Sequence, residues 1–184
     1  MAHIQGNIPL ALKEENERFF RHFVGTPQTS FGADIGKNIR MVRADVFVPA
    51  KKSAETQTIC EVEVTKDMCN IYGTLHGGCA AYLIDLCSST SVVCYGIYNG
   101  TDGTGVSASM NIQWHRPITT GKTLKIVSNT IFVEGLIRSA KSELRDLHTD
   151  KLYVSAVHAT IAGGSRTAAL RKSNKAKTGE QAKL

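Results

Sequence analysis

Proline is scarce in this chain, four residues in 184, and tryptophan occurs once. So little proline leaves long stretches free to run as unbroken helix or strand. Aromatic residues make up only 7%, and none is interleaved with the basic residues near the C-terminus. That removes the stacking platform needed to hold single-stranded nucleic acid, and no nucleic-acid partner is expected. The five cysteines, Cys60, Cys69, Cys79, Cys87 and Cys94, form no CxxC pair, and no secretory leader precedes them. Free thiols in a reducing compartment are therefore expected, rather than a disulfide framework. Cys79, Cys87 and Cys94 share a helix face by their spacing and read as small buried hydrophobes. No uninterrupted apolar run approaches the roughly 18 residues of a membrane span, so no span is expected and the protein reads as soluble.

What is present describes one globular domain with enough chain to bury a core: 42% hydrophobic and 21% charged residues. The net charge of +6 is uneven. Arg166, Arg171, Lys172, Lys175, Lys177 and Lys183 stand against Glu180 alone in the last twenty residues, leaving the body close to neutral. That end is expected to be a solvated, unstructured tail.

Residues 10–24 place Leu12, Phe19, Phe20 and Phe23 at helical spacing among charges, predicting an amphipathic first helix that ends at Gly25. Alternation around Ile39, Val42, Val46 and Val48 predicts a strand stopped near Pro49, and Ile59, Val62 and Val64 mark a second. A long apolar helix follows, from about Leu75 to Tyr95. After the glycine-rich turn "YNGTDGTG" come four strand-like stretches divided by short turns. The order predicts an α+β fold, an antiparallel meander wrapped around the long central helix, with an extra helix at the N-terminus. The expected divisions are 1–36 for the N-terminal helix and loop, 37–164 for the main domain, and 165–184 for the basic tail.

Two features of the long helix call for chemistry. It opens on His76-Gly77-Gly78, and it carries a lone carboxylate, Asp85, among Leu83, Ile84 and Leu86. First-turn N–H groups have no helical partner and carry the positive end of the dipole. A glycine there lets a ligand carbonyl approach, making Gly77 a candidate oxyanion donor; close packing against a strand is the alternative. A carboxylate in apolar surroundings is costly without a partner, and a half-buried one is suited to take a proton from water or to attack a carbonyl. The alternative for Asp85 is a structural acceptor. Eight residues separate Gly77 from Asp85, about 12 Å along a helix at 1.5 Å per residue. One chain cannot bring both to one carbonyl. Two copies related by a twofold axis can, which predicts a homodimer with interfacial sites.

The stretch Asn70, Gly73, Thr74, Leu75, His76, Gly77, Gly78, Ala81, Leu83, Asp85 resembles the hotdog-fold acyl-CoA thioesterases, particularly the phenylacetate-degradation-type and thioesterase-superfamily-member group. "GVSASMNIQWHRP", through Gly105, Val106, Ser107, Met110, Asn111, Ile112 and Pro117, resembles that group's "GVSVDMNITYxxP" strand. The likeness runs from about residue 40 to 163 and implies a hotdog fold hydrolysing fatty acyl-CoA to free acid and CoA. By position it implies that the Gly77 amide polarises the thioester carbonyl and that Asn70 and His76 help place it. Asp85 of the other subunit would serve as general base or nucleophile, and Ser107 would orient the water. It implies no metal or redox cofactor, and dimers paired into tetramers. Gly78, Ser109, Trp114, Gly135 and Arg138 are the implied contacts for substrate and CoA.

The chain also departs from that group. Ser109 stands where the relatives carry an acidic residue, and the turn Glu134–Arg138 replaces a "K-x-G-K-T" loop, with Arg138 as the candidate replacement charge. Strict alternation puts Ser107 on the polar face of its strand, so a site role requires a bulge or an edge to aim it at Asp85. Cys69 and Cys79 flank the motif and raise a Cys–His nucleophile alternative, with packing as the preferred reading for Cys79; His115 and His158 are read as structural. A non-catalytic acyl-CoA binder is the rival function. A hydratase would need an Asp–His pair a few residues apart on the helix, and no histidine follows Asp85 there. The chain closes on Ala182-Lys183-Leu184, a near match to the Ser-Lys-Leu address of peroxisomes. Peroxisomal import through that receptor is expected, with cytosol or mitochondrion as alternatives.

Overall fold

The computed structural model describes residues 4–50 and 53–162. The basic tail and the terminal Ala182-Lys183-Leu184 lie outside them. Helix α1 (Leu10–Val24) is followed by a single turn, α2 (Ala33–Gly36), then strands β1 (Arg40–Phe47) and β2 (Glu55–Glu63). The long helix α3 (Gly77–Tyr98) precedes β3 (Gly105–Trp114), β4 (Thr123–Glu134), β5 (Ile137–Asp146) and β6 (Leu152–Ala162). All six strands form one antiparallel sheet in the order β1-β2-β4-β5-β6-β3. This is the α+β hotdog architecture, with one correction. The last four strands are not a simple meander: β4-β5-β6 is one, while β3 crosses to the far edge and pairs with β6.

Helix α3 meets the length and composition needed to cross a bilayer, yet Leu83, Ile84 and Cys87 are wholly buried against the sheet. It is the core helix of the domain. Its buried hydroxyls need partners and have them. Thr90 Oγ1 lies 2.5 Å from Thr58 Oγ1 of β2, and Thr56 Oγ1 donates to the Ser91 carbonyl at 2.7 Å. Where α3 ends, Gly96 and Gly103 bring helix and loop together backbone to backbone. A Cβ on Gly103 would stand 2.5 Å from Val93 Cα.

Several inward faces differ from where the sequence pattern put them, and in β1 a bulge is the cause. In β1 the bulge between Met41 and Arg43 makes Val42 the extra residue, so Met41, Ala44 and Val46 point inward rather than Val42 and Val48. In β2 the buried parity is Thr56, Thr58, Cys60 and Val62, and Ile59 turns outward. In α1 the buried residues are Lys13, Asn16, Phe20 and Val24. Lys13 donates to the Gly6 carbonyl and Asn16 to the Thr90 carbonyl, so polar side chains serve a face read as phenylalanine-rich.

Candidate active site

The segment before α3 is a stapled loop. Asn70 Oδ1 accepts from the Tyr72 N–H at 2.9 Å, from the Thr74 hydroxyl at 3.2 Å and from the Thr74 N–H at 3.3 Å. With its oxygen occupied, the amide nitrogen is the atom Asn70 has to offer a ligand. His76 is the N-cap: its Nδ1 accepts from the Gly78 N–H at 3.0 Å. That bond needs the Nδ1 lone pair, which places the neutral ring's proton on Nε2. The cap consumes the Gly78 amide. Gly77 sits one residue earlier, so its N–H has no helical carbonyl to reach and lies at the positive end of a 22-residue helix. Gly77 lines a hollow of about 270 Å³ with Trp114, His115 and Arg116.

Two turns further along α3 is the carboxylate. Asp85 is not deep in the apolar run: its side chain is 48% exposed and opens on a cleft. Ser107 Oγ donates to Asp85 Oδ1 at 2.8 Å. A bulge makes this contact possible. Ser107 pairs with Thr160 and Ser109 with Ala159, leaving Ala108 as the extra residue. The phase shift puts Ser107 on the inward side with Met110, Ile112 and Trp114, whose partners in β6 are buried.

His158 is the residue the sequence reading assigned no part here. It is 2% exposed, on the inward face of β6. Its Nδ1 lies 2.6 Å from Ser88 Oγ, and its Nε2, which has no hydrogen-bond partner, lies 3.5 Å from Asp85 Oδ1. Only the tautomer with its proton on Nε2 turns a donor towards the carboxylate; Nδ1 then accepts from the Ser88 hydroxyl. Burial lowers the His158 pKa and the nearby Asp85 charge opposes that, so the ring is held neutral. The inward parity of β6 (Val154, Ala156, His158, Thr160) was the available signal: a buried histidine needs a partner.

None of the other candidates lines the cleft with Asp85. Cys79 packs against the core, and burial pushes its thiol up to about 11, which disfavours the thiolate a nucleophile requires. Ser109 is exposed on the outer side of the bulge. Gly135 is the open turn between β4 and β5, at φ 55°. Arg138 is 8% exposed and donates to the Thr104 carbonyl, so reaching a CoA phosphate would require it to leave that contact. His115 lies exposed against Ser155.

Residues 72–144 match the model of the Thioesterase superfamily. A Mus musculus protein named acyl-coenzyme A thioesterase 13 is 30% identical over 106 residues, covering 58% of this chain and 73% of that one. Among solved structures, thioesterase superfamily member 2 from Mus musculus superposes with a TM-score of 0.59 at 26% identity, covering 79% of this chain and 96% of that one. The zebra fish thioesterase superfamily member 2 structure gives a TM-score of 0.63 at 23% identity over 84% of this chain and all of that one, a likeness of fold.

Proposed function

This chain belongs to the thioesterase superfamily, and from that premise we propose that it hydrolyses fatty acyl-CoA thioesters to free acid and CoA at sites shared between two subunits. The observation that carries the reading is the Asp85 carboxylate, held by Ser107 on one side and faced by His158 on the other, opening on a cleft.

The Gly77 N–H donates to the thioester carbonyl oxygen, joined by the Asn70 amide N–H and by His76 Nε2–H. Asp85 takes a proton from water as the water oxygen attacks the carbonyl carbon. The negative charge that develops on the carbonyl oxygen is met by the Gly77 amide. The C–S bond then breaks, the acid leaves, and the proton passes to the CoA sulfur. Because Asp85 lies two turns from Gly77 on its own helix, the carboxylate comes from the second subunit. Support for that pairing lies in β3, which ends the sheet with Val106 and Trp114 exposed. A ten-residue strand with an open edge and apolar side chains is suited to continue into a second sheet. Two such dimers forming a tetramer, and import into peroxisomes through Ala182-Lys183-Leu184, complete the proposal. A tagged chain lacking those three residues is expected in the cytosol, and unchanged localisation would remove the address.

The test is CoA release from an acyl-CoA panel, wild type beside Asp85→Asn. A folded variant that still binds substrate should lose about 10²- to 10⁴-fold in rate, the usual contribution of a positioned base. Turnover at the wild-type rate would make Asp85 structural. Binding without turnover in either protein would make the chain an acyl-CoA binder.

A further inference from the structure

The Asp85–Ser107 pair stands at one end of a cleft of about 460 Å³ whose other end is built by residues before β1. Phe23 of α1 and Phe31 of the following loop line it together with Tyr82, Leu86 and Val93 of α3. Tyr82 and Asp85 are the only titratable groups in that lining, and no cation is among them. The hollow beside Gly77, by contrast, is lined by His115 and Arg116. Both spaces mix polar and apolar lining: the larger adds Ser30, Ser89, Thr104, Ser107 and Thr160, and the smaller sets Leu75, Trp114 and Ile118 beside its charge. What separates them is that only the smaller holds a cation, while the aromatic side chains Phe23, Phe31 and Tyr82 belong to the larger.

Phe31 is the unexplained residue. Its side chain belongs to one of the largest apolar types, yet it is 87% exposed. A lone exposed aromatic means little, but this ring lines the same cleft as the carboxylate and is held in place. It sits edge-on to Tyr82, with ring centroids 5.8 Å apart and planes at 78°. Tyr82 in turn is clamped. A Cβ on Gly32 would come within 2.8 Å of its ring, and one on Gly36 within 2.5 Å of its hydroxyl. Gly32 adopts φ +69°, which turns the chain directly after Phe31. The loop thus presents an apolar ring over the cleft, and among the described residues its contact with Tyr82 leaves most of it uncovered.

Resting on the thioesterase reading, we propose that this cleft receives the acyl chain and that Phe31 is the contact that makes the enzyme favour chains long enough to cover it. A longer chain removes both its own methylenes and the phenyl ring from water. Short acyl groups sit at Asp85 without reaching the ring.

The experiment compares wild type, Phe31→Ala and Phe31→Leu on acyl-CoAs from acetyl to palmitoyl, and on the matching S-alkyl-CoA thioethers, which cannot be hydrolysed. Covering a large apolar side chain is worth about a tenfold gain or more. Phe31→Ala should therefore lose about tenfold in kcat/KM and thioether affinity for chains beyond a threshold length, and nothing for acetyl, with Phe31→Leu close to wild type. Profiles that superimpose for wild type and Phe31→Ala, or an equal loss at every length, would overturn the assignment. If no ester is hydrolysed but Phe31→Ala still shifts the thioether profile, the thioesterase reading falls and the cleft assignment stands. If no thioether binds at any length, both fall.

Discussion

Replacing His158 by glutamine removes a titrating ring while keeping a polar side chain of similar reach. His158 is 2% exposed, and burial outweighs the Asp85 charge in lowering its pKa from the ordinary 6.5. The unfolded chain therefore binds a proton at higher pH than the folded one does. As pH falls through 6.5, the unfolded state takes up that proton first and the fold loses stability. One proton of difference gives a slope of at most about 1.4 kcal/mol per pH unit, ending where the folded ring itself protonates. The assay is urea unfolding from pH 7.5 down to 5 on both proteins. Glutamine cannot titrate, so the stability advantage of wild type over His158→Gln should shrink as pH falls below 6.5. Titrating groups that do not face His158 are common to both proteins and cancel in the difference; Asp85, 3.5 Å away, is the one that faces it. Parallel curves would show that His158 does not titrate on unfolding. An advantage that grows towards acid would mean that attraction between imidazolium and Asp85 outweighs burial, and would refute the reasoning.

Two further outcomes follow from the same geometry. Ser107→Ala removes a 2.8 Å hydrogen bond to the Asp85 carboxylate, the proposed base; about a tenfold fall in kcat/KM with unchanged thermal stability is expected, and an unaltered rate would detach Ser107 from the site. Leu83→Ala opens a hole under a fully buried residue of α3; a loss of about 2–5 kcal/mol in urea unfolding is expected, and a loss below about 1 kcal/mol would mean that the core closes around the gap.

The parts of this fold that could be read from the sequence are those set by local chemistry. An apolar stretch as long as α3, capped by His76 and flanked by glycine, has few alternatives to a central helix. Strand positions followed from alternation, but strand order did not, because nothing local tells β3 to leave its neighbour β4 and pair with β6. Faces were misread at the β1 bulge, and in β2, where Ile59 and Val62 lie three apart and cannot share a face. Val42 looked inward by count and is the residue that the bulge skips. Ser107 shows the same physics working the other way: its parity was wrong for the site unless a bulge stood beside it, and Ala108 supplies one. The carboxylate was legible as the odd residue on its helix. Its half-burial was read as well, and 48% exposure agrees; the cleft was not, since it is made by β3, by β6 and by a loop some fifty residues upstream.

The backbone contact between Gly96 and Gly103 sets the tolerance of the chemistry from a distance. The loop pressed against α3 there leads within a few residues to Ser107, so the approach of helix and loop at that point helps fix where β3 starts beside α3. A methyl group at either glycine has nowhere to go except into main chain. Alanine at 96 or 103 is therefore expected to disturb the Ser107–Asp85 contact, though neither position touches either side chain.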